Sequence, residues 1–389
     1  MITSPARSSY HTVVVGAGII GLYTAYHLAH AGAGPILVLD RGFLSSGASG
    51  RNGGGVRQQW ETPATIRLAR ESVAAYRRFG REFGYNIWFR QSGYVFVAED
   101  EGQLARLRRV NAVVRGEGLV SRVLDAAEVL RLVPGIRPDA TIGGTYLRTD
   151  GILYPFPALW GLYEAVRALG VEVVLGAEVT GIHALGGRVA AVETSLGRIA
   201  TEHCVNAAGG WSGELSRRAG LDVPNVATRH EILATEPLKP FLDPMVVRVS
   251  DGLYFSQTMR GEIVGGIAPS ATLATRPGMG SSLDFLARMS RGLVGLFPQF
   301  RSLRVLRAWS GYYDDTPDGF PVIGTDARLP GFVHANGFGG HGFMLAPASA
   351  QRVARAVLGE PSDLDPHLFG PQRFSESGRE LPTERLQLG

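Results

Sequence analysis

A short apolar strand, a glycine-rich turn and an apolar helix follow one another near the start of the chain, and they constrain its fold more than any other feature. Residues 11–15 form a β-branched run, the turn reads Gly16-Ala17-Gly18-Ile19-Ile20-Gly21, and residues 19–30 repeat apolar side chains at helical spacing. A second apolar run, 36–39, ends at Asp40. This order predicts a βαβ unit with two parallel strands.

The three glycines of the turn follow the spacing of a dinucleotide-binding fingerprint. Glycines at these positions allow a tight turn, a close approach of the backbone to a pyrophosphate, and close packing of the helix on the strand. The helix N-terminus supplies N–H groups and partial positive charge to the phosphates. Asp40 follows Gly21 by 19 residues, at a place where an acid accepts hydrogen bonds from ribose hydroxyls. The opening of the chain therefore predicts a dinucleotide site, without deciding which dinucleotide.

The composition limits the class of protein. With 389 residues, 45% of them hydrophobic, the chain can bury a large core and is long enough for about two domains. The formal net charge is only +4, and basic residues alternate with acids along helical stretches, so we expect no nucleic-acid partner. The single cysteine, Cys204, excludes an intrachain disulfide framework, and no run approaches the ~18 apolar residues of a membrane span. We expect a soluble, cytoplasmic protein without a signal peptide, a membrane span or a metal site.

Periodicity along the rest of the chain predicts both helices and strands. Apolar residues at helical spacing predict helices over residues 63–83, 101–115, 283–296 and 347–358. Alternating or β-branched runs predict strands over residues 93–98, 171–182, 188–192 and 204–207, and several antiparallel strands within 231–266. Gly186-Gly187 predicts a hairpin turn. Together these elements predict a mixed α/β fold.

Four later segments carry further motifs: residues 46–57, 206–211, 309–324 and 337–344. They resemble segments of the FAD-dependent D-amino-acid oxidase-like family, which includes sarcosine oxidases, glycine oxidases and proline dehydrogenase catalytic subunits. With the opening βαβ unit, the resemblance extends over residues 11 to about 360, in the family's order. It implies a Rossmann-like FAD-binding domain with an interleaved antiparallel-sheet substrate domain. The expected division is 1–85, 145–222 and 305–375 for the FAD-binding domain, and 86–144 and 223–304 for the substrate domain.

The resemblance also implies how FAD is held. The cysteine and the histidine that tether the flavin in some family members correspond to Gly311 and Arg51 here, so we expect non-covalent FAD. Glycines of the segment 337–344 let the backbone reach a flat ring, and the N-terminus of the following helix favours the negative charge that reduction places there. The predicted FAD contacts are Gly16, Ala17, Gly18, Ile19, Ile20, Asp40, Arg41, Ala48, Ser49, Arg51, Asn52, Gly53, Gly54, Val179, Ala208, Gly209, Trp211, Gly339, Gly340, His341, Gly342, Phe343 and Met344.

Four residues are implied at the substrate end. Arg57 occupies the place of an arginine that pairs with the substrate carboxylate in the family, and its planar guanidinium suits bidentate binding. Tyr313 corresponds to an active-site tyrosine. Tyr254 and His230 lie in the segment expected to face the flavin. These four are therefore the predicted substrate-site residues.

Two lysines of monomeric sarcosine oxidases are absent from this chain. Met344 replaces the lysine that gives the carboxylate a second cationic partner, and residues 261–268 lack the lysine that activates oxygen. The sequence therefore leaves open whether O2 or another electron acceptor reoxidises the flavin.

The resemblance implies oxidation of a small secondary amino acid, sarcosine or a similar N-methyl amino acid. Hydride transfer to flavin N5 would give an imine, which water hydrolyses. The alternatives within this class are the catalytic subunit of an L-proline dehydrogenase, which acts with a partner subunit, and a glycine or D-amino-acid oxidase. A different class is a non-catalytic flavin-binding assembly subunit. Flavin reduction by an amine separates the classes.

Overall fold

The computed structural model describes residues 4–271, 278–375 and 383–384, which form two large sheets, one small sheet and their covering helices. The strands are β1 Ser9–Val15, β2 Ile36–Asp40, β3 Gly55–Val56, β4 Tyr94–Ala98, β5 Arg122–Asp125, β6 Gly143–Leu147, β7 Gly151–Ile152, β8 Glu172–Leu175, β9 Val179–Leu185, β10 Arg188–Thr194, β11 Gly197–Asn206, β12 Val226–Pro237, β13 Met245–Arg248, β14 Tyr254–Gln257, β15 Glu262–Gly266, β16 Val305–Asp315, β17 Val322–Thr325 and β18 Phe332–Asn336. The helices are α1 Ile19–His30, α2 Pro63–Phe83, α3 Glu101–Gly116, α4 Ala126–Leu132, α5 Pro155–Ala168, α6 Ser212–Arg218, α7 Leu283–Leu296, α8 Gly342–Val357 and α9 Pro366–Phe369.

The first sheet contains the predicted βαβ unit. Its strands follow the order β17-β18-β11-β1-β2-β8, and the hairpin of β9 and β10 is attached beside β11. β1 pairs in parallel with both β2 and β11, so that Val15 lies opposite Leu39 on one side and Asn206 on the other. The carboxyl ends of these strands therefore meet at one edge of the sheet, where ligands of such folds bind.

The second sheet is mainly antiparallel, as predicted for residues 231–266. Its order is β16-β12-β15-β14-β13-β4-β6-β5, and β13 with β4 is its parallel pair. The long ladder between β12 and β16 runs from the Val226–Asp315 pair to the Thr235–Val305 pair. Helix α7 buries Phe285, Met289 and Leu296 in the same apolar cluster as residues of this sheet. The chain thus has the predicted mixed α/β class, while the exact domain division stays a prediction.

Local patterns predicted several elements correctly. The predicted helices 63–83 and 283–296 have the observed bounds, and Gly186 and Gly187 both have positive φ in the turn between β9 and β10. The strand pattern predicted over 171–182 covers parts of two strands: β8, which joins β2, and β9, which joins β10. Gly176 lies between them with φ +81°, a conformation that interrupts an extended strand.

The last long helix begins earlier than predicted, at Gly342 instead of Pro347. A proline usually marks the first turn of a helix because it lacks the N–H that would bond four residues back. Here Pro347 lies inside α8, and the carbonyl oxygen of Phe343 loses that donor. The hydroxyl of buried Tyr76, on α2, donates to this carbonyl oxygen over 2.5 Å. A tertiary hydrogen bond therefore replaces the missing helical one.

We expect Tyr76→Phe to lower the free energy of unfolding by about 1–3 kcal/mol, because it leaves the carbonyl of Phe343 unsatisfied in a buried place. Urea denaturation measures this change. In a Pro347→Ala background the restored N–H bonds the same carbonyl, so Tyr76→Phe should cost less there. An equal cost in both backgrounds would contradict this account of the helix.

Two further observations bear on the expectations from composition. No helix among the described residues is both long and apolar enough to cross a membrane. Cys204 is buried in β11, and burial raises the pKa of its thiol to about 12. The thiol is therefore protonated and unreactive at neutral pH.

Candidate functional site

A cavity of about 450 Å³ opens where the carboxyl ends of β1 and β11 meet the second sheet. The turn after β1, the loop that follows β2, and the segment after β11 line it from the first sheet. Strands β12, β14 and β16 line it from the second sheet, and the start of α8 closes it. The four segments that resemble a flavoenzyme family therefore converge on one cavity.

The glycine turn can close only without side chains. Gly16 has φ +114°, and a Cβ there would overlap the carbonyl oxygen of Ala207, at the end of β11. A Cβ on Gly21 would overlap the carbonyl oxygen of Gly16. The backbone N–H of Ala17 donates to Asp40 over 2.9 Å, so the acid at the end of β2 also holds the turn. These contacts shape the edge of the cavity for a close approach to the backbone.

The loop 46–57 is tied to the second sheet through Arg51. The Arg51 guanidinium donates to the carbonyl oxygens of Ser46 (2.7 Å) and Ser310 (3.0 Å), and the Trp309 indole donates to the carbonyl of Arg51 (2.9 Å). Asn52 donates to the carbonyl of Ser49 over 2.7 Å. The loop is therefore held against β16 before any ligand enters.

Most of the predicted FAD contacts line the cavity. The predicted residues in its lining are Gly16, Ala17, Gly18, Ile19, Ile20, Asp40, Arg41, Ala48, Ser49, Arg51, Asn52, Gly53, Val179, Ala208, Gly209, Trp211, Gly339, Gly340, Gly342, Phe343 and Met344. Gly54 and His341 are not in the lining. Gly54 packs on the carbonyl of Leu153, where a Cβ would overlap, and His341 is buried behind the wall.

Three of the four predicted substrate-site residues lie together in the lining. The rings of His230 and Tyr313 stack with centroids 3.5 Å apart, and the hydroxyls of Tyr313 and Tyr254 are hydrogen-bonded. Burial lowers the pKa of His230 to about 3 and raises the pKa of Tyr254 to about 12. Burial also raises the pKa of Tyr313 well above its ordinary value. All three side chains are therefore uncharged from about pH 5 to pH 10.

Arg57, the fourth predicted substrate-site residue, is fully buried and does not line the cavity. Its guanidinium donates to the carbonyl of Gln59 (2.5 Å), lies 3.2 Å from Nε2 of His341, and stacks 3.8 Å over the Trp60 ring. Burial lowers its pKa to about 10, so the side chain keeps its charge at neutral pH. Arg57 is thus a buried cation directly behind His341, itself the residue before α8.

The segment that carries Arg57 is held by Asp150, which the sequence analysis did not identify. The Asp150 carboxylate accepts from the backbone N–H of Gln58 (2.8 Å) and from the side-chain amides of Gln58 (3.2 Å) and Gln59 (3.0 Å). Burial raises its pKa to about 7. The only signal in the sequence is an Asp-Gly turn after a strand, which is common in proteins of every class.

Tyr94 and Met245 also line the cavity without having been predicted. The Tyr94 hydroxyl is buried, and it has no hydrogen-bond partner among the described residues. It lies so close to Gly55 that a Cβ there would overlap it. Tyr94 begins β4, a strand of five buried residues, so its sequence pattern indicates only a buried position. Its hydroxyl is a polar group available to a ligand.

The comparisons with known proteins agree with this arrangement. The profile of the FAD dependent oxidoreductase (DAO) family matches residues 11–356. The chain is 29% identical over 376 residues to sarcosine oxidase subunit beta of Rhodobacter capsulatus, covering 95% of this chain and 90% of that protein. It is 28% identical over 389 residues to mitochondrial sarcosine dehydrogenase of Mus musculus, covering 96% of this chain but only 42% of that longer protein.

Among solved structures, the fold is similar to that of L-proline dehydrogenase from P. horikoshii. The TM-score is 0.89 at 30% identity, and the match covers 95% of this chain and 98% of the other. Both large sheets therefore belong to an architecture that is already known from a solved structure.

Proposed function

The chain belongs to the DAO family of FAD-dependent oxidoreductases, and on this basis we propose that it oxidises a small secondary amino acid, sarcosine or a similar N-methyl amino acid. It is an FAD-dependent amine oxidoreductase. The narrower proposal is supported by one arrangement: the uncharged side chains of His230, Tyr254 and Tyr313 line the cavity together, and the buried cation Arg57 contacts His341 outside the lining.

The residues present fit FAD. The turn 16–21 and the N-terminus of α1 would hold the pyrophosphate, because glycines let the phosphates approach the backbone closely and a helix N-terminus favours phosphate. The Asp40 carboxylate would accept hydrogen bonds from the ribose hydroxyls. Gly340 packs directly against the Tyr313 ring, where a Cβ would overlap, so no larger residue fits at this point of the cavity wall. When bound, FAD accepts the hydride that leaves the substrate.

An apolar, uncharged pocket selects the neutral form of the amine. Removing an ammonium group from water without a counter-charge is costly, so the pocket favours the free amine by desolvation. The lining near His230 also includes Ile232, Met245 and Met344, which add apolar surface. The residues of this chain therefore prepare the substrate by excluding water, and no side chain has to act as a general base.

We propose that Arg57 supplies the positive charge that holds the substrate carboxylate. Burial destabilises the charged form of Arg57 and lowers its pKa, and the attraction of a nearby carboxylate offsets this cost, so the buried cation favours an anionic ligand. The hydroxyls of Tyr94 and Tyr254 would donate to the same carboxylate from the cavity side, and the Tyr313 hydroxyl, which donates to Tyr254, would orient the Tyr254 hydroxyl. His341 and Asp150 act as positioning residues, since they contact Arg57 or the segment that carries it.

L-Proline dehydrogenation is the second candidate. The similarity to a proline dehydrogenase structure favours it. The cavity lining also favours it, because among the described residues it contains no lysine that could take the place of the two lysines of monomeric sarcosine oxidases. Proline is itself a small secondary amino acid, so the same pocket argument applies. A partner subunit is part of this proposal, as the name of the Rhodobacter relative, a beta subunit, suggests.

The decisive experiment is an anaerobic titration of the purified yellow protein. We expect sarcosine to bleach the flavin absorbance, with L-proline as the competing substrate and dimethylglycine, glycine and D-amino acids as weaker ones. Readmission of air then separates an oxidase, which recolours at once, from a dehydrogenase, which does not. Bleaching by primary amines alone would exclude the secondary-amine proposal, and no bleaching by any amine would indicate a non-catalytic subunit.

We expect kcat/KM for sarcosine to rise by about tenfold per pH unit between pH 8 and 9, because the amine, with an unperturbed pKa of about 10, must bind without its proton. The pKa values of His230 (about 3), Asp150 (about 7) and Tyr254 (about 12) lie outside this window and should add no inflection within it. Steady-state rates across pH 6–10 measure the slope. The slope should persist in His230→Asn, and a flat profile in the unmodified enzyme would contradict the neutral-amine mechanism.

A further inference from the structure

Two histidines and a glutamate come together on the first sheet, three or four residues before the carboxyl ends of β1 and β11 that border the cavity. His11 lies near the start of β1, and Glu202 and His203 lie in β11. One ligand atom from each of the three lies within 4.8 Å of the other two. Gly16, which lines the cavity, follows the opposite end of β1. The cluster is therefore separate from the dinucleotide site.

The pairing of β1 with β11 creates the cluster. Tyr10 lies opposite Thr201 and Thr12 opposite His203, so His11 is set beside Glu202. The rings of His11 and His203 lie 5.0 Å apart, centroid to centroid. This is a separation at which two imidazoles can bind one ion. Because both strands belong to the central sheet, the three ligands rest on a rigid frame.

Each imidazole has a ring nitrogen to offer. Nδ1 of His11 lies 2.9 Å from the Thr12 hydroxyl, which orients the ring and leaves Nε2 for a ligand. Nδ1 of His203 is buried and has no hydrogen-bond partner among the described residues. Each ring can therefore offer one nitrogen lone pair, the group through which histidine binds metals.

We propose that His11, Glu202 and His203 bind a divalent transition-metal ion such as Zn²⁺. Two imidazoles and one carboxylate form a three-ligand set that Zn²⁺ accepts, with water completing the tetrahedron. An ion held there links β1 to β11 and stabilises the sheet without touching the flavin. Its removal therefore lowers thermal stability and leaves the flavin spectrum unchanged.

The test uses tag-free holoprotein that has been treated with a chelator and dialysed. Calorimetric titration with Zn²⁺, with elemental analysis after gel filtration, should give one ion per chain and a raised Tm. We expect His203→Ala and His11→Ala to weaken binding at least tenfold, and Glu202→Gln severalfold. Glu202 is exposed, so Glu202→Gln keeps the test valid if a histidine variant fails to fold.

His183→Ala is the matched control. His183 is a partly exposed histidine whose Nε2 lies 2.8 Å from Glu193. Among the described residues, it belongs to no group of three potential metal ligands. Its removal should leave Zn²⁺ binding unchanged. Absence of binding, or binding that is equally strong in the His203→Ala and Glu202→Gln variants, would overturn the proposal.

Discussion

Gly16→Ala is expected to yield protein without FAD and to lower the free energy of unfolding by roughly 2–4 kcal/mol. Two effects combine at this position. The backbone has φ +114°, which an L-residue rarely adopts, and the added Cβ would overlap the carbonyl oxygen of Ala207. Because Ala207 belongs to the segment that follows β11, relief of this overlap must separate two central strands. The ratio of flavin to protein absorbance and urea denaturation measure the two effects.

Gly47→Ala is the matched control for Gly16→Ala. Gly47 also lines the cavity, but its φ is −88°, and a Cβ there would meet nothing within 4 Å. We expect this variant to bind FAD and to keep its stability within about 0.5 kcal/mol of the unmodified chain. Loss of FAD from both variants would mean that any change in the lining is harmful, and that the turn itself has no special role.

Arg57→Ala is expected to lower kcat/KM for the amino acid by roughly 100- to 1000-fold, mainly through KM, with little change in FAD content. Loss of a buried charge partner costs about 3–4 kcal/mol, and each 1.4 kcal/mol is a tenfold change. FAD should stay bound because Arg57 is outside the cavity lining. Arg57→Lys, which keeps the charge but loses the planar fork, should show an intermediate loss. Steady-state kinetics measure both variants.

Arg373→Ala controls for the removal of any buried arginine. Arg373 is fully buried, pairs with Asp318 over 2.7 Å, and does not line the cavity. We expect this variant to lose stability while its KM stays unchanged. If Arg57→Ala kept the original KM, or if both variants raised KM alike, Arg57 would have no role in holding the carboxylate.

The cofactor half of the site was largely predictable because its residues lie in short segments with their own patterns. The turn 16–21, the acid at Asp40 and the loop 46–57 each follow a local strand or helix signal, and most of their residues line the cavity. Pattern and geometry agree here because a dinucleotide contacts mainly backbone, and backbone shape depends on glycines close in sequence.

The substrate half was less predictable. Asp150 supports the Arg57 segment from more than ninety positions away, and Tyr94 reaches the cavity from a strand of the second sheet. Their sequence patterns indicate burial but not a partner. Helix α8 shows the same limit, since its true start depends on a hydroxyl from α2 that replaces the bond lost at Pro347.

By itself, the sequence determined the βαβ unit and the mixed α/β class, because these depend on patterns within short segments, whereas a single FAD site shared by distant glycine-rich segments was implied by the family resemblance. Only the tertiary structure decided that Arg57 lies outside the cavity lining, that three uncharged rings line the cavity together, and that His11 lies beside Glu202 and His203. Periodicity specifies which face of a strand or helix is buried, whereas the pairing of strands and the packing of helices decide what that face meets.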